Sequence, residues 1–396
     1  MSLLDQSKEL QAEIIEVRRH LHQYPELSFE EVETSKLAAE RLKELGYAIK
    51  SGIAGTGITA DIGSGARTIA IRADMDALPV DEAKDRPYRS KREGVMHACG
   101  HDGHTAMLLA AAKHLARHRN FDGTVYLVFQ PAEEGGAGAK AMIDDGLFDK
   151  FPMEALFGAH NWPGYPVGSF GVAAGPMMAS GSIFHLKVRG RGSHAALAYL
   201  GVDPVPVACQ IVMAWQTIVS RNLRAMESAV ISATMISAGE ATNVIPDFAD
   251  LRGTVRTLSN EAVTLIERRM REVADGICAA HGASCEFEFT RGYPVTVNHA
   301  AETEFVRRVL SGVVGAGNVR TFEPTMGSED FAFFLEARPG CYFVIGNGEG
   351  DHRAHGHGEG PCTLHNPNYD FNDELIPLGA TAWVRIAEAW LNRAPR

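Results

Sequence analysis

The sequence lacks most of the features that would place it outside the ordinary globular enzymes. Its six cysteines, at 99, 209, 278, 285, 341 and 362 of 396 residues, include no CxxC pair. A chain this long needs no disulfide framework, and scattered thiols suit a reducing compartment. No Lys/Arg block exceeds a few residues, and 38 basic against 49 acidic side chains give a net charge of −11, which argues against a nucleic-acid partner. No apolar stretch approaches membrane length. The opening MSLLDQSKELQAEIIEVRRH mixes charges from position 5 onward, without the apolar core and small-residue cleavage site of a signal peptide. The expectation is a soluble, cytoplasmic protein that meets neither membrane nor nucleic acid. A GxSxG elbow, a GxxxxGK[ST] loop and a GxGxxG between strand and helix are also missing, and the glycines of Gly52-Ile53-Ala54-Gly55-Thr56-Gly57 open a strand and read as a turn.

What is present fits a two-domain α/β protein. At 396 residues the chain exceeds the size at which one core usually keeps growing, and 45% apolar with 22% charged residues are ordinary globular values. Leu10, Ile14, Val17 and Leu21 recur at helical spacing, and a second helix is predicted from about Phe29 to Leu45, with Gly46 in the stop position. Short apolar runs at Gly57 to Ile62, Thr68 to Ala73, Thr124 to Phe129 and Ala155 to Ala159, with a helix from about His104 to Arg117 among them, indicate an α/β sheet. From about Ser182 the pattern becomes strand (Phe184, Leu186, Val188), helix (205–219), two strands (229–236 and 248–256), helix (261–280) and strand (285–289). This βαββαβ order is the ferredoxin-like signature. The chain is therefore read as a first domain in two parts, 1–182 and 293–396, with an inserted α+β domain at 183–292. A helix at Glu302 to Leu310 and a strand at Cys341 to Ile345 belong to the second part, and 346–366 reads as a Gly- and His-rich loop.

Several predicted strands end in polar residues, and the carboxyl ends of strands are where ligand sites form in open α/β sheets. Asp74 and Asp76 follow one strand, Gln130 to Glu134 a second, and His160 a third. The segment Met96-His97-Ala98-Cys99-Gly100-His101-Asp102-Gly103-His104 adds one thiol and three imidazoles. If 97–101 runs extended, His97, Cys99 and His101 share a face and can reach one ion; taken alone, the segment also fits a buried thiol beside surface histidines. Glu133 and Glu134, pointing different ways from extended backbone, can supply one metal ligand and one uncoordinated base, unless they form a solvated acidic turn. Asp74-Met75-Asp76 can orient imidazoles through their second nitrogens or form a solvated turn before Pro79. His160 is a ligand or a satisfied structural histidine. His352, His355 and His357 read as solvated, and so do His20, His22, His114, His118, His185, His281 and His299. Cys99 as a nucleophile is the weaker reading, because a thiolate among so many ligands is captured by metal.

The joint occurrence of RRHLHQYPELSFEE (18–31), RADMDALPV (72–80), MHACGHDGHT (96–105), FQPAEEGGAGAK (129–140), GRGSHAA (190–196), NVIPD (243–247), GSEDFAFF (327–334) and LHNPNYDFND (364–373), in this order over nearly the whole chain, resembles one family. It is that of hippurate hydrolases, N-acyl-amino-acid amidohydrolases and auxin-conjugate hydrolases, within the aminoacylase and carboxypeptidase group of dinuclear metallopeptidases. The resemblance implies a mixed-sheet α/β metallopeptidase-like catalytic domain carrying an inserted ferredoxin-like dimerisation domain. It makes Cys99, His101, Glu134, His160 and His365 the ligands of two divalent ions, Glu133 the general base, and Asp76 the carboxylate that orients a ligand. His194 resembles the histidine that reaches a neighbouring subunit's site to stabilise the oxyanion. Asn243 and Arg256 resemble the polar pair that holds substrate, and the turn at Gly327-Ser328 the loop that receives its carboxylate.

Two departures stand out. Asp74-Met75-Asp76 replaces the His-x-Asp of the broader group, which favours the amidohydrolase branch. Leu197-Ala198-Tyr199 stands where relatives commonly have Met-Pro-His. Thiolate and imidazole ligands suit zinc, and manganese, cobalt or nickel are compatible. The expected activity is hydrolysis of an N-acyl, including N-aromatic-acyl, amino acid to a carboxylic acid and a free amino acid, by a homodimer or homotetramer. A dipeptidase or carboxypeptidase on the same site is the alternative. A non-catalytic metal-binding protein is disfavoured by Glu133, since a binder needs no free base beside Glu134.

Overall fold

The computed structural model describes residues 11–348 and 363–393; His352, His355, His357 and Cys362 lie outside the described residues. The described residues form two compact units. The first contains those up to Gly175, Val297–Glu323 and those from Phe333 on; the second contains Pro176–Thr296 and Pro324–Ala332. The pattern change read at 182–183 thus falls inside the second unit, and Pro324–Ala332, which carries no compositional mark, packs with that unit.

In the first unit eight strands form one mixed sheet. From edge to edge they are Ala48–Ile53, Gly57–Ser64, Gly123–Gln130, Thr68–Asp74, Leu156–Trp162, Gly340–Gly346, Phe170–Val172 and Val319–Thr321. The four central ones, Gly123–Gln130 to Gly340–Gly346, run parallel. Helices cover this centre, so Thr68–Asp74 is buried along its whole length and reads as a continuous run rather than an alternation. Parallel strands end on one side of the sheet, which brings Asp74, Gln130 and the end of Leu156–Trp162 to a common edge.

Three local expectations change. The second helix is Val32–Glu44, three residues later than Phe29, because Phe29 takes φ +64° and the Glu26 carboxylate accepts the amides of Glu33 (3.2 Å) and Thr34 (2.8 Å) at the helix start. His160 lies inside its strand rather than beyond it. His22 and His114, read as solvated, are buried. The helix Leu375–Leu391 was not anticipated, and nearly every side chain in it is buried.

The second unit has strands Ser180–Arg189, Ala229–Ala238, Phe248–Thr257 and Ser284–Arg291 in one antiparallel sheet, with helices Pro204–Arg221 and Asn260–Ala280. Numbering these strands in chain order, the sheet runs 2-3-1-4, the ferredoxin-like arrangement. Trp215 anchors its core, fully buried, with Nε1 donating to the Met270 carbonyl at 2.9 Å. No helix among the described residues is long and apolar enough to cross a membrane.

Candidate metal centre

The Cys99 segment does not run extended as expected. Gly100 takes φ +89° and the helix His101–Arg117 begins directly after it. Only glycine fits there: besides the left-handed backbone, a Cβ would collide with Tyr369 Oη and Asn161 Nδ2. Together with the bend at Ala98 and Cys99, this left-handed residue breaks the alternation expected of His97, Cys99 and His101. Cys99 and His101 converge with His160, whereas His97 belongs to no donor group, and both its ring nitrogens are buried without a hydrogen-bond partner among the described residues.

Each remaining side chain is held by a specific neighbour. His101 Nδ1 donates to Asp76 Oδ1 at 3.2 Å, and Asp76 Oδ2 accepts Ser28 Oγ and the Glu134 amide, both at 2.8 Å. This turns His101 Nε2 toward the other donors. His160 Nδ1 donates to the Asn161 carbonyl at 2.7 Å, which leaves Nε2 free to face Cys99 Sγ at 3.2 Å. His104 is different: Nδ1 donates to Asp74 at 2.6 Å and Nε2 accepts the Asn161 amide at 3.0 Å, so neither nitrogen is open to an ion. Asp74 also pairs with Arg72 at 2.6 Å, inside the core. Glu133 and Glu134 sit on a turn rather than in extended backbone, because Ala132 before them has φ +53°. His365, also left-handed at φ +61°, is anchored by its amide to the Ala98 carbonyl at 2.8 Å, and its Nε2 lies 3.1 Å from Glu134 Oε1.

The donors form overlapping triples whose ligand atoms all lie within 4.8 Å of one another: Cys99/His101/His160, Cys99/Glu134/His365 and His101/Glu133/Glu134. Cys99, His101 and Glu134 each appear in two, so the set has room for two ions with a shared ligand. The donors also fit a cation on their own chemistry. His101 Nε2 is buried with no hydrogen-bond partner among the described residues, and Glu134 Oε1, which makes no hydrogen bond there either, faces His365 Nε2 at 3.1 Å, so two imidazole nitrogens and a carboxylate oxygen converge where a cation would satisfy them. Burial, followed by the charges of Glu134 and Glu133, pushes the Cys99 thiol well above its ordinary range. Burial disfavours the His101 imidazolium, yet Asp74, Asp76 and Glu134 outweigh it and raise its pKa to about 10. For His160, burial and then His104 keep the ring neutral, the form that ligates.

The other anticipated residues lie in the second unit. His194 and Asn243 are neighbours there: His194 pairs with Val244 across two short strands, and the Ala195 amide donates to the Asn243 carbonyl at 3.0 Å. Arg256 is half-buried, and Nη1 donates to the carbonyls of Val255 (3.1 Å) and Ser182 (3.4 Å). Gly327 is exposed, its carbonyl accepting the Ala179 amide at 2.8 Å. A Cβ on Gly181 would lie 3.1 Å from Ser328 Oγ and 3.8 Å from Arg256 Nη1, so Arg256 and the Gly327-Ser328 turn share a locality. The sequence reading gave no role to Ser28, Glu31, Arg72 or Asn161, and took His104 as a neighbour that supports or packs around the site. Their signal was limited to lying in or beside the motifs.

A thiol, imidazoles and carboxylates at the carboxyl edge of a mixed α/β sheet, with a ferredoxin-like unit inserted in the chain, define a metallohydrolase of the dinuclear-peptidase type. The model of peptidase family M20/M25/M40 matches residues 70–389, and the chain belongs to that family. It is 41% identical to the hippurate hydrolase of Campylobacter jejuni over 99% of this chain and 100% of the relative. It is 42% identical to the N-acetyl-L-cysteine deacetylase of Bacillus subtilis, over 87% and 83% of the two chains. The crystal structure of Bacillus subtilis YXEP, a dinuclear metal binding peptidase from the M20 family, superposes with a TM-score of 0.83 at 35% identity, covering 97% of this chain and 99% of that one.

Proposed function

We propose that this protein hydrolyses the amide bond of N-acyl amino acids, aromatic acyl groups included, releasing a carboxylic acid and a free amino acid. The observation that carries this is the pair of adjacent carboxylates, one with a buried oxygen that faces His365 Nε2 at 3.1 Å (Glu134) and one beside it (Glu133), grouped with His101. The names of the hippurate hydrolase and deacetylase relatives support the substrate class. Cys99, His101, Glu134, His160 and His365 would hold two divalent ions; zinc fits the thiolate and imidazoles, and manganese, cobalt or nickel are compatible. The ions supply Lewis-acid polarisation of the amide and acidify water.

The chain's own residues do the rest. Glu133 takes a proton from the attacking water and delivers it to the leaving nitrogen. Asp76 keeps His101 in the tautomer that presents Nε2. Arg256 meets main-chain oxygens, and its half-buried guanidinium suits the carboxylate of the amino acid beside the Gly327-Ser328 turn, with Asn243 on the same unit. His194 is exposed, and we assign it to the oxyanion in a neighbouring subunit's site.

The second unit is then the dimerisation domain of a homodimer or homotetramer. Its edge strand Ala229–Ala238 supports this with Met235 and Ile236 61% and 55% exposed. The free thiols of Cys99, Cys209, Cys278, Cys285 and Cys341 support a cytoplasmic location.

The test is Glu133→Ala. It should keep its full metal content by elemental analysis while kcat on hippurate or N-acetyl amino acids falls by about 10²–10⁴-fold; unchanged hydrolysis overturns the assignment. The same assay with dipeptides separates the peptidase reading, which requires a free amino group on the acyl side.

A further inference from the structure

The motif Pro25-Glu26-Leu27-Ser28-Phe29-Glu30-Glu31 has no part in the chemistry above, yet it lies against the carboxylate side of the site. The Ala77 amide donates to the Glu26 carbonyl at 2.7 Å, fastening the motif directly after Asp76, and Ser28 Oγ donates to Asp76 Oδ2 at 2.8 Å. Glu31 immediately precedes the helix Val32–Glu44 but makes no side-chain capping bond to it; Glu26 accepts the helix's first amides instead. The fully buried Glu31 carboxylate is turned elsewhere. It accepts the Ala132 amide at 2.8 Å, Thr56 Oγ1 at 2.6 Å and the Phe29 amide at 3.0 Å. Ala132 is a buried L-residue at φ +53°, a conformation that persists only where its surroundings impose it, and the next two residues are Glu133 and Glu134. The Glu134 amide then donates to Asp76 Oδ2, the oxygen that also receives Ser28. Glu31, Ala132, Glu134, Asp76 and Ser28 therefore form a nearly closed chain of contacts around the general base.

We propose that Glu31 is a positioning residue of the metal centre: by gripping the Ala132 amide it fixes the left-handed turn that aims Glu133 and Glu134. The proposal rests on the metal-centre reading. It separates two things a carboxylate in this place can do, capping a helix or ordering a catalytic turn, and the bonds made assign it the second. A glutamine keeps an acceptor for the Ala132 and Phe29 amides, and the Thr56 hydroxyl can reverse to accept from the new amide. Geometry rather than charge is therefore what matters.

The test compares wild type, Glu31→Gln and Glu31→Ala loaded with Co(II) alone, reading the visible d–d and thiolate bands together with kcat and KM on an N-acyl amino acid. Glu31→Ala should bind the same Co(II) stoichiometry with a shifted d–d envelope and lose about 10–100-fold in kcat with KM little changed, as expected for loss of a group that orients ligands. Glu31→Gln should resemble wild type in both. Adding Ala132→Gly to Glu31→Ala should recover part of kcat, since glycine adopts the turn without the grip. If Glu31→Ala does not fold, Thr56→Val should shift the same band in the same direction by less. A wild-type spectrum and kcat in Glu31→Ala, or in Thr56→Val where that variant must serve, overturns the proposal. So does a kcat loss matched by the unfolded fraction and left unrescued by Ala132→Gly. Wild-type protein that takes up no Co(II) overturns the metal reading and this proposal together, whereas Co(II) uptake without amide hydrolysis overturns the substrate reading alone and leaves the band shift to decide Glu31.

Discussion

His101 and Asp102 are consecutive, fully buried, and belong to two polar clusters with opposite habits. The cluster around His101 gathers Asp74, Asp76, Glu133 and Glu134 with a thiol and imidazoles, and it leaves His101 Nε2 without a hydrogen-bond partner among the described residues and Glu134 Oε1 facing His365 Nε2 at 3.1 Å. The cluster around Asp102 is balanced by name. Arg18, Arg19, His22 and Arg86 face Asp102, Asp370, Asp373 and Glu82, with Arg18 Nε 3.0 Å from Asp102, Arg18 Nη2 2.8 Å from Asp370, and His22 Nδ1 2.9 Å from Asp102. Both clusters keep buried atoms that make no hydrogen bond among the described residues, Arg18 Nη1, Asp102 Oδ1 and Asp373 Oδ1 among those of the second. The second, closed cluster nonetheless pairs its carboxylates with guanidinium groups of the chain, whereas the first, open one holds a surplus of carboxylates. The second also ties the N-terminal helix and the 370–373 segment to the helix that starts at His101. Buried charges paired within the chain tie together what they touch, whereas a buried surplus of carboxylates calls for a cation.

The largest expected effect comes from opening the closed cluster. Arg18→Met removes the cation shared by Asp102, Asp370 and Asp373 and should cost about 3–5 kcal/mol of unfolding free energy by urea titration, with or without metal. Burial opposes the Asp102 charge, but Arg18 and then His22 hold its pKa well below the ordinary carboxylate range. The stability it contributes is therefore present above the unfolded carboxylate pKa and is lost as pH falls toward the folded one, and Arg18→Met should flatten that acid limb. Cys99→Ala in the open cluster should do the reverse, abolishing metal uptake while leaving metal-free stability at or above wild type. If the two variants behaved alike, the distinction between the clusters would fail.

Loading the open cluster is the next largest effect. Zinc at a hundred times its dissociation constant should add about 2.7 kcal/mol to stability, removable by chelator. The protein must give up protons to accept it, because the Cys99 thiol and the His101 imidazolium are both protonated near neutrality. Uptake near pH 7 should release roughly two protons per chain, measured by calorimetry in buffers of different ionisation enthalpy, and affinity should rise with pH. Without metal the sign reverses for His101. Its raised pKa contributes stability that is fully present below the unfolded value and is lost as pH climbs through about 10. No proton release would mean that the donors are already deprotonated and that the cluster is not held open by charge.

The open cluster was largely legible in the sequence because its residue types are rare and chemically committed: a Cys and a His two apart, two consecutive glutamates after an apolar run, and a distant His365. What was not legible is how they converge. Alternation would have put His97 with Cys99 and His101, but the chain bends at Ala98 and Cys99 and Gly100 is left-handed, so the segment is not extended. Extended backbone would have separated Glu133 from Glu134, but Ala132 turns it, and an alanine at positive φ carries no mark in a sequence. The closed cluster was hardly legible at all. His22 read as solvated and Arg18 carried no role, and Asp370 and Asp373 lie more than 340 residues away. The ferredoxin-like unit was read almost strand for strand because each element has one face in the core and one in water.

The smallest expected effect tests the seam between the clusters. His97 is 1% exposed, its ring centroid 6.4 Å from that of His22, and neither nitrogen has a hydrogen-bond partner among the described residues. It belongs to neither cluster, so its polar atoms are a cost rather than a contribution. His97→Phe should keep full metal content and kcat and raise stability by about 1 kcal/mol, less any cost of the larger ring. The pH dependence makes the case specific. Burial lowers the His97 pKa to about 4, the charges of Asp102 and His22 acting in opposite senses after it. The folded state therefore refuses a proton that the unfolded chain accepts. The stability this refusal leaves intact above the ordinary histidine pKa is lost as pH falls from about 6.5 toward 4. His97→Phe should remove that loss, so its advantage over wild type should widen between pH 6.5 and 4. A variant that instead lost metal would place His97 inside the open cluster, and one that lost stability at neutral pH would place it inside the closed one.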